Sequence, residues 1–126
     1  MDKKYKLLIV DDDPNLLLLM EKTLKPQGYH LVLLNDSARV IQTARKEKPD
    51  LILLDIMMPR SDGYTTLYQL KSDESLSNIP VAMISAVGFE NNKQLAKVYG
   101  ASAYVTKPID KKVLLETITR FLPGPA

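Results

Sequence analysis

Short apolar runs alternate with helical periodicity along the whole chain, and this constrains the fold more than any other feature. Leu7-Leu8-Ile9-Val10, Tyr29 to Leu34, Leu51-Ile52-Leu53-Leu54, Val81-Ala82-Met83-Ile84 and Ala103-Tyr104-Val105-Thr106 are strand-length and bounded by polar or turn residues. The continuous apolar runs Leu7–Val10 and Leu51–Leu54 predict strands buried on both faces, most clearly in Leu51–Leu54. Between them lie helical patterns. Asp13-Pro14 reads as an N-cap with proline at the first helical position, followed by Leu16, Leu17, Met20 and Leu24 at helical spacing. Further helices are expected over Ser37 to Lys46 (ended by Pro49), about Tyr64 to Lys71, residues 89–99 closed by Gly100, and about Asp110 to Leu122. Five strands, each followed by a helix, predict a parallel sheet covered on both faces, and right-handed crossovers make it doubly wound.

Composition removes whole classes of function. The 126 residues carry 17 Lys+Arg against 15 Asp+Glu, one His and no Cys. The length fits one domain of residues 1–122, with 123–126 a tail or the start of a linker. Without cysteine there is no disulfide framework, thiolate zinc site or thiol nucleophile. The balanced charge argues against direct nucleic-acid binding, and Lys3, Lys4 and Lys6 read as a solvated terminus. The longest apolar run, Leu16 to Met20, is far short of the ~18 residues that span a membrane. A cytoplasmic location is the expectation.

The polar residues at the strand ends carry the chemistry. The first strand runs into Asp11-Asp12, the third into Asp55, the fourth into Ser85 and the fifth into Lys107-Pro108. In a parallel sheet these positions share the carboxyl edge, where open α/β sheets bind ligands. Three converging carboxylates repel one another unless a cation neutralises them. An all-oxygen set without His or Cys suits Mg²⁺, and Lys107 and Ser85 suit phosphoryl oxygens. The set therefore suggests a phosphoryl group on one carboxylate, which acts as nucleophile.

Other polar residues have plainer readings. Asp13 is a helix cap, Asp62 beside Gly63 a turn or cap residue, and His30 an exposed strand residue. Asp50 opens the third strand, roughly 16 Å from Asp55 and at the opposite edge. Tyr104 is expected to be half-buried. A phosphatase of the haloacid dehalogenase type would need an acid at position 57, which is Met57. A flavin or dinucleotide site would need a Gly- or Ser/Thr-rich phosphate loop where Asp11-Asp12-Asp13-Pro14 stands, and these acids would repel phosphate.

Leu-Ile-Val-Asp-Asp-Asp-Pro (8–14), Asp-Leu-Ile-Leu-Leu-Asp-Ile-Met-Met-Pro (50–59) with Asp62-Gly63, Val-Ala-Met-Ile-Ser-Ala (81–86) and Gly-Ala-Ser-Ala-Tyr-Val-Thr-Lys-Pro (100–108) resemble the receiver domain of two-component response regulators. The resemblance covers residues 5–122. It implies a flavodoxin-like α/β fold with strand order 2-1-3-4-5 and a cis Lys107-Pro108 bond. Carried over by position, Asp55 is the phosphoacceptor, Asp11 and Asp12 the acidic pocket, and Met57 a backbone carbonyl ligand to Mg²⁺. Ser85 is the switch hydroxyl with the small Ala86 beside it, Lys107 binds a phosphoryl oxygen, and Tyr104 is the aromatic that moves inward.

The implied donor is a sensor histidine kinase or histidine phosphotransfer protein, and the implied target a downstream protein or effector domain. The output face would combine the helix at 89–99, the strand at 103–106 and the last helix; a phosphorylation-dependent homodimer is left open. The resemblance implies a switch rather than an enzyme, with slow autodephosphorylation at most. Met57 and Val87, both apolar, would restrict the hydrolytic water. The alternative is a receiver-like protein–protein interaction module working without phosphorylation.

Overall fold

The computed structural model describes residues 4–58, 61–86, 94 and 96–122. The strands are β1 (Lys6–Val10), β2 (His30–Leu34), β3 (Leu51–Asp55), β4 (Val81–Ala86) and β5 (Ala103–Lys107). They form one sheet in the order β2-β1-β3-β4-β5, with every neighbouring pair parallel. This is the flavodoxin-like arrangement. The helices are α1 (Pro14–Leu24), α2 (Val40–Glu47), α3 (Gly63–Ser72) and α5 (Lys111–Phe121). Residues 94 and 96–98, also helical, are labelled α4. Most of the helix expected at 89–99 lies outside the described residues, as do Lys3, Val87 and the tail at 123–126. So do the side chains of Met57, Asp62 and Ala86.

Strand periodicity divides the core into two layers. Successive side chains on a strand point to opposite faces. Leu8, Val10, Ile52 and Leu54 therefore pack with Val40, Ala44, Leu67 and Leu70 from α2 and α3. Leu7, Ile9, Leu51 and Leu53 pack on the other face with Leu17, Met20, Leu24, Leu114 and Ile118 from α1 and α5. All of β3 is buried, whereas the edge strands β2 and β5 are only partly covered. Each buried leucine contributes about 1.5–3 kcal/mol relative to exposure.

Local signals set the helix ends. Asn15 N donates to Asp13 Oδ1 at 2.9 Å, so Asp13 caps α1 as read from sequence. Asp110 caps α5 by accepting from Lys112 N at 2.8 Å and Val113 N at 3.2 Å. Gly100 takes φ 101, the left-handed conformation expected of a helix-closing glycine. The helix expected from Ser37 begins as a 3-10 turn over Ser37–Arg39 and becomes α-helical at Val40. It ends at Lys48, which itself adopts φ 48 ahead of Pro49. The Lys107-Pro108 bond is cis.

Two details differ from the sequence reading. Lys6 is not part of a solvated terminus: it opens β1, and its Nζ lies 3.1 Å from Glu47 Oε1. Pairing of β1 with β3 brings these distant residues together. The loop after β3 contains a small antiparallel pair, Met57–Met58 with Ser61–Asp62. It delivers Gly63 against the backbone of Ile56: Gly63 N donates to Ile56 O at 3.0 Å. A Cβ on Gly63 would lie 2.6 Å from Ile56 Cα, so only glycine starts α3 at this position without displacement.

Candidate functional site

Backbone pairing carries the acids to one edge of the sheet. Val10 is in register with Leu54, and Asp11 N continues the ladder by donating to Leu34 O at 3.0 Å. Asp55 pairs in register with Ile84, and Ala86 with Lys107. The ends of four strands thus place Asp11, Asp55, Ser85 and Lys107 at neighbouring positions. Asp12 joins them from the turn into α1.

Carboxylate oxygens of Asp11, Asp12 and Asp55 all lie within 4.8 Å of one another. Asp11 and Asp55 are buried, while Asp12 is exposed at the mouth. Lys107 Nζ bridges the buried pair, 3.2 Å from Asp11 Oδ2 and 3.3 Å from Asp55 Oδ2. Both lie within ion-pair distance, so the one ammonium is shared by two carboxylates. Asp11 Oδ1 accepts from Asp13 N at 2.9 Å, which ties the acidic turn to the start of α1.

The site is short of positive charge. Three carboxylates face one ammonium, a formal balance of −2 in a partly buried setting. Burial alone would lower the Lys107 pKa, but the Asp11 and Asp55 carboxylates outweigh it and hold the ammonium above its usual range. Ser85 Oγ is buried without a hydrogen-bond partner among the described residues, a cost normally avoided unless a group at the site engages it. A hard divalent cation would relieve both the repulsion and the missing donors, and the all-oxygen set fits Mg²⁺.

Every polar residue expected at this edge is here. The Tyr104 ring is half-buried on β5, as expected, and packs against the core layer of α2 and α3. Met57 is placed only by its backbone, paired with Asp62. Asp50 is at the opposite edge, where its Oδ2 accepts from Lys6 N at 2.8 Å. His30 is exposed, as expected. Sequence reasoning missed the part Gly63 plays in shaping the loop beside Asp55; the Asp62-Gly63 dipeptide signals a turn, but not the backbone contact it permits.

The response regulator receiver domain family model matches residues 7–119. The chain belongs to this family. This receiver domain is similar to Protein PilH of Pseudomonas aeruginosa, at 36% identity over 119 residues that cover 94% of this chain and 98% of PilH. It is also 36% identical over 117 residues to the DNA-binding dual master transcriptional regulator RpaA of Synechocystis, covering 93% of this chain but 48% of RpaA. Among solved structures, chemotaxis protein CheY4 of Vibrio cholerae superposes with a TM-score of 0.88 at 26% identity, over 94% of this chain and 99% of CheY4. Receiver domains are signalling switches of two-component systems rather than conventional enzymes, and they work with histidine kinases or phosphotransfer proteins and with downstream effectors. Among the described residues, no helix is long and apolar enough to cross a membrane.

Proposed function

We propose that this receiver domain is a cytoplasmic, Mg²⁺-dependent phosphoacceptor switch in which Asp55 takes the phosphoryl group from a phosphohistidine of a sensor histidine kinase or phosphotransfer protein. The observation that carries this reading is Lys107 Nζ poised between buried Asp11 and Asp55, with Asp12 close by and too little positive charge for three acids. An oxygen of Asp55 attacks phosphorus, the P–N bond breaks, and the imidazole leaves with a proton in place of the phosphoryl group. Asp11, Asp12, the Asp55 carboxylate and the Met57 carbonyl would hold Mg²⁺. When bound, the ion supplies charge neutralisation for the transferring oxygens.

Lys107 exchanges its contact with Asp55 for one with a phosphoryl oxygen, which keeps the ammonium paired throughout. Ser85 Oγ, buried and without a partner among the described residues, turns to donate to the same group. Tyr104 lies one strand over from Met83 and three residues before Lys107, so it is placed to follow the change at Ser85 and Lys107. The resulting shift in populations is read on the face of α4, β5 and α5. Slow loss of the phosphoryl group to water completes the cycle.

Treatment with acetyl phosphate and Mg²⁺ is expected to add one phosphoryl group to the wild-type mass and none to Asp55→Asn. A phosphorylated Asp55→Asn protein, or phosphorylation unaffected by EDTA, would overturn the proposal. The module working without phosphorylation is not favoured, because each pocket position is filled by a chemically competent residue.

A further inference from the structure

The peptide between Asp55 and Met57 is seated by main-chain contacts on both sides. Ile56 N donates to Ile84 O at 2.9 Å, one step past the Asp55–Ile84 pair of the sheet. Ile56 O accepts from Gly63 N at 3.0 Å, and the Ile56 side chain is buried in the core layer of α2 and α3. Met57 then pairs antiparallel with Asp62, and Gly63 follows directly. The chain thus leaves Ile56 at Met57 and returns to it at Gly63.

That return needs a residue without a side chain. A Cβ on Gly63 would meet three backbone atoms at once, Ile56 Cα at 2.6 Å, Ile56 O at 2.9 Å and Asp55 O at 3.0 Å. Backbone cannot step aside as the tip of a flexible side chain can, so the two stretches would have to part by several tenths of an ångström. Both are anchored. Ile56 is tied to β4, and α3 is held by buried Thr66, Leu67 and Leu70. The separation would therefore be taken up at Asp55 and in residues 57–62.

The oxygens of the acidic pocket come from two separate pieces of backbone. Asp11 and Asp12 follow β1, whereas Asp55 and Met57 belong to the stretch that Gly63 touches. Moving one piece against the other keeps every charge and alters only the shape. Mg²⁺ is small and demands a near-ideal octahedron, while Ca²⁺ accepts more oxygens in looser arrangements. A misplacement of roughly 0.5 Å is enough to degrade a preorganised site. Shape therefore weighs more heavily on the smaller ion.

We propose that Gly63 is a positioning residue for the cation and sets the pocket's selectivity for Mg²⁺ against Ca²⁺, by letting α3 begin against the Asp55–Ile56 peptide. The inference rests on the cation site proposed above for Asp11, Asp12, Asp55 and the Met57 carbonyl. Gly63 itself touches no ion. It acts through the backbone that carries Asp55 and Met57, and it requires no phosphoryl transfer.

The test is a pair of NMR titrations of the isotopically labelled full chain, one with Mg²⁺ and one with Ca²⁺, without any phosphodonor. In Gly63→Ala the Mg²⁺ Kd is expected to rise about tenfold or more and the Ca²⁺ Kd by less than about threefold. Gly28→Ala is the control for general destabilisation. Gly28 has φ 93 and open space around it, and it precedes β2 at the opposite edge of the sheet. That variant should lower the thermal midpoint and leave both constants unchanged. In the wild type, the Gly63 amide should be protected from hydrogen exchange before any metal is added, because its bond to Ile56 O is already made. Equal losses for the two ions, no loss, or the same losses in Gly28→Ala would overturn the inference. So would a Gly63 amide protected only after Mg²⁺ is added, a result that decides the matter even if Gly63→Ala does not fold. A wild type that binds neither ion overturns the cation site and this inference with it. A wild type that binds Mg²⁺ no better than Gly63→Ala does removes this inference alone.

Discussion

The two ends of β3 each carry an aspartate near a lysine, and they are built for opposite purposes. At the amino end, Asp50 Oδ2 accepts from Lys6 N at 2.8 Å, and Asp50 N donates to Lys6 O at 2.7 Å. Lys6 Nζ turns away to Glu47, reaching both its carboxylate and its carbonyl at 3.1 Å. Backbone donors and partial exposure satisfy every charge there. At the carboxyl end, Asp55 shares one ammonium with Asp11, and a third carboxylate stands nearby. Similar residues thus close the chemistry at one edge and leave it short of a cation at the other.

The sharpest contrast is between the two lysines. Lys107→Met leaves two buried carboxylates without their counter-charge. It is expected to destabilise the protein by about 3 kcal/mol in chemical denaturation without divalent metal, the lower end for a broken buried pair because the lysine side chain is 30% exposed. Lys6→Met removes a more exposed pair and should cost under about 1 kcal/mol. Equal losses would erase the distinction between the two ends.

Metal separates them next. Saturating Mg²⁺, at about 100 times its Kd, should stabilise the wild type by about 2.7 kcal/mol. The gain should vanish in Asp12→Asn and persist in Asp50→Asn, read as the shift in the urea midpoint.

The aspartates themselves should respond with opposite signs. Asp55→Asn leaves Lys107 with one close buried carboxylate and relieves repulsion, so the metal-free protein should gain about 1–2 kcal/mol. Asp50→Asn weakens a charge-assisted hydrogen bond from backbone and should lose about 1 kcal/mol. A loss in both variants would show that repulsion does not dominate at Asp55.

The smallest effect is alkaline. The Lys107 pKa is raised above 10.5 by its carboxylates against the opposing pull of burial. Its stabilising contribution is therefore complete below pH 10.5 and is lost as pH rises through the higher folded value. Lys71 behaves oppositely: burial lowers its pKa from 10.5, so stability rises as pH climbs from that lowered value towards 10.5. Lys107→Met should remove the first slope and keep the second in pH-dependent unfolding.

Much of this site was legible because strand ends in a parallel sheet are positions of known direction. Once Leu7–Val10, Leu51–Leu54 and Val81–Ile84 read as buried strands, Asp11, Asp55 and Ser85 had to share an edge. The charge roles of Lys6 and Lys71 were not legible. The partners of Lys6 lie 41 and 44 residues away, across a register that only the assembled sheet defines. Lys71 reads as the last residue of a helix, yet its ammonium reaches the carbonyls of Ser77 and Ile79 in the loop that follows. The left-handed Lys48 was hidden for another reason: nothing in its side chain announces a positive φ, which the adjoining helix end and strand impose.

The contact between Gly63 and Ile56 has a mechanical consequence. Side chains absorb a small displacement by changing rotamer, so a layer of them acts as a cushion between elements. No such layer separates the peptide after Asp55 from the first turn of α3, where backbone rests on backbone. The joint is stiff in compression, and a push along the end of β3 reaches α3 undamped.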